Sequence, residues 1–326
     1  MVRKVIVLLS FAAILCLSSC DKSFDSRAPF QPEIVVFSIL STDRSTQFVR
    51  VESDYLPAGY DPLSSTSDNS ITNATVTVFD GTNTYRLRDT IIARTDTSRY
   101  DFPIHTFTLG SFVPVPGKTY QVAVQAAGYS NANASAIVPS RGYPGTAATT
   151  YVYFDNPGAY PDDVDLLCNA LLGANSKGFV GRLFVDYDVL IGTEWTEGRI
   201  EVPLAFADPK VPDLNFVTYP QFTSRTADRM VLSFKNGVYK SVLTSLASGK
   251  YKSNKLIFNR VVFQLLQADK NLFDYYNTTH AFRDAASTRL DEPLFSNVSG
   301  GSGIVGAYTL DSLVHLLPEN FPYNNR

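Results

Sequence analysis

Ile71-Thr72-Asn73-Ala74-Thr75-Val76-Thr77-Val78-Phe79-Asp80-Gly81 decides the fold. Ala74, Val76 and Val78 fall on one face and Thr75, Thr77 and Phe79 on the other. A period of two marks a half-buried β-strand. Asp80-Gly81 is a tight hairpin signal, and Thr84–Leu87 reads as the returning strand. Similar runs lie on both sides: Glu33–Leu40, Gln47–Glu52, His105–Leu109, Thr119–Gln125 and Ala132–Val138. Seven short strands over about a hundred residues, spaced by turn signals, are the pattern of an immunoglobulin-like or transthyretin-like β-sandwich. The Cys/Trp signature of true immunoglobulin domains is missing, so the expectation concerns architecture only.

Pro139–Gly145 clusters Pro and Gly and marks a boundary. We therefore expect a sandwich over residues 33–139 and a second β-rich domain over 140–318. In that second part Phe179–Leu190 alternates Leu183, Val185, Tyr187 and Val189 against Arg182, Asp186 and Asp188. Arg199–Leu204, Arg229–Phe234 and Lys255–Leu266 read as further strands. Gln267–Ala286 has helical spacing at Leu272, Tyr275, Tyr276 and Phe282, with Asp269 near its start, and is the one main helix expected. Glu292–Leu310 reads as two strands joined by Gly300-Gly301-Ser302-Gly303, and residues 319–326 as a frayed polar tail.

Composition agrees with a globular β protein. Apolar residues make up 44% and charged residues 18%, with 22 Phe and 18 Tyr against one Trp. Formal charge is −3 and no Lys/Arg cluster occurs, which argues against a nucleic-acid partner.

The N-terminus states an address. Arg3 and Lys4 precede an apolar run from Val5 to Leu17, too short for the roughly 20 residues of a comfortable bilayer crossing. Leu15-Cys16-Leu17-Ser18-Ser19-Cys20 then reads as a lipobox: residues 1–20 are a lipoprotein signal, cut before Cys20, which is lipidated. Attached acyl chains contribute roughly 0.8 kcal/mol per buried methylene, so the expected partner is a membrane, reached through lipid on Cys20. Residues 21–32 read as a tether. With Cys16 removed and Cys20 acylated, Cys168 stands alone; an intrachain disulfide and a cysteine-based zinc site are excluded, and its apolar setting reads as core.

Three stretches carry a family resemblance. They are Ile71–Gly81; Pro114-Val115-Pro116-Gly117-Lys118-Thr119-Tyr120-Gln121-Val122-Ala123-Val124 with Ala127-Gly128-Tyr129; and Glu292-Pro293-Leu294-Phe295-Ser296-Asn297-Val298-Ser299-Gly300-Gly301-Ser302-Gly303-Ile304-Val305-Gly306-Ala307-Tyr308. In order and spacing, with the lipobox, they resemble the Bacteroidota lipoproteins grouped as domain of unknown function 4249. Ile304-Val305 departs from the family pattern, which tends to have a phenylalanine before the glycine. The resemblance implies an envelope lipoprotein of the outer membrane, often encoded beside TonB-dependent transporters. It supplies no catalytic residues.

Gly110–Thr119 lacks phosphate-loop spacing, and Pro114 and Pro116 remove amide donors such a loop needs. Ser302 has no G-x-S-x-G frame. His105, His280 and His315 are isolated, and Asp162, Asp163, Asp165, Asp186 and Asp188 lack a calcium-loop pattern, so no metal and no cofactor are expected. Aromatics in loops are the remaining candidates for ligand contact: Tyr55, Tyr60, Tyr143, Tyr153 and Trp195, with Tyr151 and Tyr160 nearby. The expectation is a non-enzymatic accessory or docking lipoprotein of a TonB-dependent system. The alternatives are a glycan- or peptide-binding surface lipoprotein and a hydrolase with a dispersed site.

Overall fold

The computed structural model describes residues 30–56, 66–98, 100–280 and 295–325. The signal, Cys20, most of the tether, Tyr60 and the end of the helical run lie outside them. The first half gives β1 (Ile34–Ser41), β2 (Gln47–Ser53), β3 (Thr75–Phe79), β4 (Thr84–Arg86), β5 (Arg88–Ile92), β6 (Ile104–Leu109), β7 (Thr119–Gln125) and β8 (Ala132–Ile137). The second half gives β9 (Tyr143–Thr146), α1 (Ala148–Asp155), β10 (Asp165–Leu171), β11 (Gly178–Ile191), β12 (Glu194–Val202), β13 (Ala205–Phe206) and β14 (Val217–Thr218). It continues with β15 (Thr223–Ser224), β16 (Arg229–Lys235), α2 (Asn236–Thr244), β17 (Leu256–Ala268), α3 (Lys270–His280) and β18 (Ser302–Leu316).

The chain is mainly β and sandwich-like. One sheet runs the length of the molecule in the order β12-β11-β17-β18-β1-β2-β6-β5. The sheet β4-β3-β7-β8 packs against one end of it and β16-β10-β9 against the other. The first core holds Val36, Val49, Val76, Phe107, Tyr120 and Val122, and the second holds Leu166, Cys168, Leu183, Phe258 and Phe263. Each such side chain, fully buried, contributes roughly 1.5–3 kcal/mol. Cys168 is buried, and desolvation pushes its thiol up to about 12, so it packs as a small hydrophobe.

β18 joins the two cores. It lies parallel to β1 and antiparallel to β17. Its odd residues put Val305 and Ala307 into the first core and Leu313 against the second. Both cores therefore sit on the same side of the long sheet. A cut at residue 139 follows the linker but not the sheet, because the segment 140–318 supplies a strand to the first sandwich.

The linker is clasped to that sheet. Buried Asp311 accepts Nη1 of Arg141 and the amide of Gly142, each at 2.8 Å. Gln267, also buried, accepts the Gly173 amide at 2.6 Å through Oε1. A Cβ on Gly173 would lie 2.0 Å from the Ser140 carbonyl oxygen, so only glycine lets these two backbones approach.

Several expectations need correction. Among the described residues there are three α-helices: the expected one, α3, is the longest, and two shorter ones join it. Ala148–Asp155 is short and rich in β-branched and aromatic residues, which masks its helicity. Asn236 and Gly237 open α2. Asn236 donates Nδ2 to the carbonyls of Pro157, Tyr160 and Pro161, and Gly237 packs against Asp162. Gly300–Gly303 does not join two strands. Residues 295–298 are irregular, Ser299 forms a single bridge to Asn133, and Gly303 is already inside β18.

The tail is docked, not frayed. Phe321 is buried edge-on against Phe258, with centroids 5.8 Å apart. Leu256 and Asn325 exchange backbone hydrogen bonds, and Asn325 Nδ2 donates to the Ala247 carbonyl at 2.7 Å. The asparagines that made the tail look solvated satisfy the end of β17, where β18 has already stopped.

Candidate functional site

The side of the long sheet opposite the cores is partly open. α3 crosses its middle, where Gly178 makes room for Phe273 and Gly306 for Leu272. On the side of α3 nearer β12, the outward residues of β11 are Val180, Arg182, Phe184, Asp186 and Asp188. These charged positions are the ones that alternation placed opposite the core.

They form a connected row. Arg182 makes a bidentate pair with Glu201 on β12. Arg199 makes another with Asp186, at 2.5 and 2.9 Å, and Arg260 on β17 adds a third bond to Asp186 at 2.7 Å. The guanidinium carbons of Arg182 and Arg199 each stand 5.4 Å from the Phe184 ring centre. Burial opposes the charge of Asp186, but the hydrogen bonds from Arg199 and Arg260 outweigh it and hold the carboxyl below its usual range. A register shift opposite Asp186/Tyr187 makes Asn259 the extra residue on β17 and turns Arg260 outward.

Two concavities occupy this face. One of about 490 Å³ is lined by Asp186, Arg199, Asn259, Arg260 and Leu316. The other, about 310 Å³, lies between Arg182, Tyr219, Phe222, Leu272 and Tyr276. Phe222 anchors the wall through Phe273 and Tyr276, at 5.3 and 4.9 Å between centroids.

At the start of α3, Asp269 is a buried carboxyl. It caps the helix by accepting the Leu272 amide at 2.9 Å and also receives the amides of Ile137 and Ala307, tying α3 to β8 and β18. Desolvation pushes it up to about 6 despite those donors. A raised carboxyl stabilises the fold fully below the unfolded value of 3.8 and loses that contribution as pH rises through about 6. The loss amounts to about 3 kcal/mol. Lowered carboxyls such as Asp186 act in the opposite sense, at lower pH. Chemical denaturation of wild type and Asp269→Asn from pH 3 to 7 isolates the effect. The difference between the two should change by that amount, and parallel curves would refute it.

The loop aromatics stand on separate elements. Tyr143 is exposed on β9, opposite Leu171. Trp195 is half-exposed near the β11–β12 turn, opposite Leu190. Tyr153 packs on the second core, 4.6 Å from the Tyr160 ring. Tyr55 follows β2 and has its own contacts. No ring contact joins Tyr143, Tyr153 and Trp195 among the described residues. His315 Nε2 lies 2.7 Å from Asp155 Oδ1, beside the Tyr151 ring. Asp162 and Asp165 pair with Lys240 and Lys235. Among the described residues no group of three or more His, Cys, Asp or Glu could hold a metal ion.

Two sandwiches sharing one continuous sheet, with an arginine-lined row on its open side, define a mainly β protein. The chain belongs to the family described as "Domain of unknown function (DUF4249)", whose profile matches residues 22–313. A search of curated proteins finds no match. Among solved structures the chain is similar to the C-terminal globular domain of an oligosaccharyltransferase from Pyrococcus abyssi, at 12% identity and a TM-score of 0.20. That match covers 68% of this chain and 40% of the other, so the chain spans less than half of that structure.

Proposed function

We propose that this protein is a lipid-anchored component of the cell envelope, held at the outer membrane through Cys20. It works without chemistry of its own, as a docking or accessory protein of a TonB-dependent transport system. The observation that carries the reading is the placement of both cores on one side of a continuous sheet. That arrangement makes a stiff body with an open face. The lipobox supplies the anchor, and the family profile, which begins at residue 22, starts directly after it. Among the described residues no helix is long and apolar enough to cross a membrane.

The test joins fractionation to affinity purification. Wild type should label with a radioactive fatty acid, sediment with outer membranes and retain a transporter after detergent extraction. Cys20→Ala should lose the label and move to the soluble fraction. A membrane-bound, unlabelled Cys20→Ala protein would remove the anchor. Purification that retains no envelope protein would remove the docking role.

A further inference from the structure

The open face has a polarity that bears on what docks there. Each ion pair is layered, with its acid below and its base above. Arg182 is 50% exposed and Glu201 16%; Arg199 is 42% exposed and Asp186 11%; Arg260, on the same carboxylate, is 48% exposed. Solvent therefore meets three guanidinium groups, although the whole chain carries a formal charge of −3. The bidentate pairs use Nε and Nη2 of Arg182 and Arg199. Nη1 of each is left to donate elsewhere. The buried carboxylates fix the guanidinium planes in advance, which lowers the ordering cost of binding an anion.

The spacing narrows the ligand. Outward residues of β11 recur about every 6.7 Å, the repeat of alternate side chains in any extended peptide. Val180 to Asp186 gives such a peptide about 20 Å of floor. Between and beside the guanidinium groups lie Phe184, Val314 and Leu316, the last 72% exposed. A plane of lipid phosphates would find no use for these apolar groups, whereas a strand-like segment would cover them. Asp188 faces Glu197 across β11 and β12, and this acidic end closes the face to negative charge.

We propose that this face, from Val180 to Asp186 and across to Arg260 and Leu316, binds an extended acidic polypeptide segment of a partner protein. The proposal rests on the docking reading above and names the chemistry of the docked segment.

The test uses the full chain and a fluorescent dodecapeptide of alternating Glu and Thr. The controls are its Lys-Thr counterpart and phosphatidylglycerol vesicles. The acidic peptide should bind, more weakly as salt rises, and the basic one should not. Leu316→Glu alters an exposed position, leaves the ion pairs untouched and should weaken acidic-peptide binding about tenfold. Leu316→Lys should not weaken it. Arg260→Gln should also weaken it, with circular dichroism confirming the fold. Equal binding of both peptides, unchanged binding by Leu316→Glu, or binding to vesicles alone would overturn the proposal. Retention of a transporter by Leu316→Glu as strong as by wild type would leave the docking role standing and move it off this face.

Discussion

Replacing Gly303 by alanine should destabilise the protein by about 3–5 kcal/mol. Two effects act together. Gly303 has φ +111°, a conformation that residues with a Cβ rarely adopt. An alanine Cβ would also lie 2.1 Å from the Val36 carbonyl oxygen and 2.8 Å from its nitrogen. Those are backbone atoms of β1, paired on one side with β2 and on the other with β18, so neither can give way. The damage spreads because β18 serves both cores. Urea denaturation followed by tryptophan and tyrosine fluorescence measures the cost. Gly81→Ala is the control: φ is +92° there too, but a Cβ would meet nothing within 4 Å. That change should cost only the strain, about 1 kcal/mol. Equal stability of the two variants would mean that β1 and β18 are not packed as described.

The second large effect concerns the C-terminal segment. Phe321→Ala should cost about 3–5 kcal/mol, the usual range for emptying a buried phenylalanine site. Phe321 closes the second core beside Phe258, and Asn324 and Asn325 hold the segment there by bonds to Phe258, Leu256 and Ala247. Deleting residues 320–326 should cost at least as much. A thermal melt within one degree of wild type for Phe321→Ala would return the tail to the status of a loose end.

These two sites show how far the sequence could be read. Strands with strict alternation were legible, because period two survives wherever one face is buried. Thr119–Gln125 matches its predicted limits, and Phe179–Leu190 differs from β11 by one residue at each end. Asp269 was visible at the start of the helix because capping is local chemistry. What could not be read was pairing between distant strands. Arg182 and Asp186 could be assigned to one face of β11, but Glu201, Arg199 and Arg260 meet them only through the register with β12 and β17. The row therefore emerges from three strands and belongs to none. Composition misled where polar residues serve a buried backbone. NFPYNNR reads as a solvated end, yet its described residues pack against the second core. Gly300–Gly303 was recognisable as a motif, but its cause is the backbone of Ile34, Val36 and Asn131, hundreds of residues away or nearly so.

The position of β18 also bears on when the protein can fold. A chain leaving the ribosome presents β1 early and β18 last, yet the two are neighbours in the sheet. Until that strand arrives, β1 has a bare hydrogen-bonding edge and the first core lacks Val305 and Ala307. Such long-range closure slows folding and leaves an edge open to wrong partners. The final strand acts as a latch, and a nascent chain without it is an unfinished sheet seeking its missing neighbour.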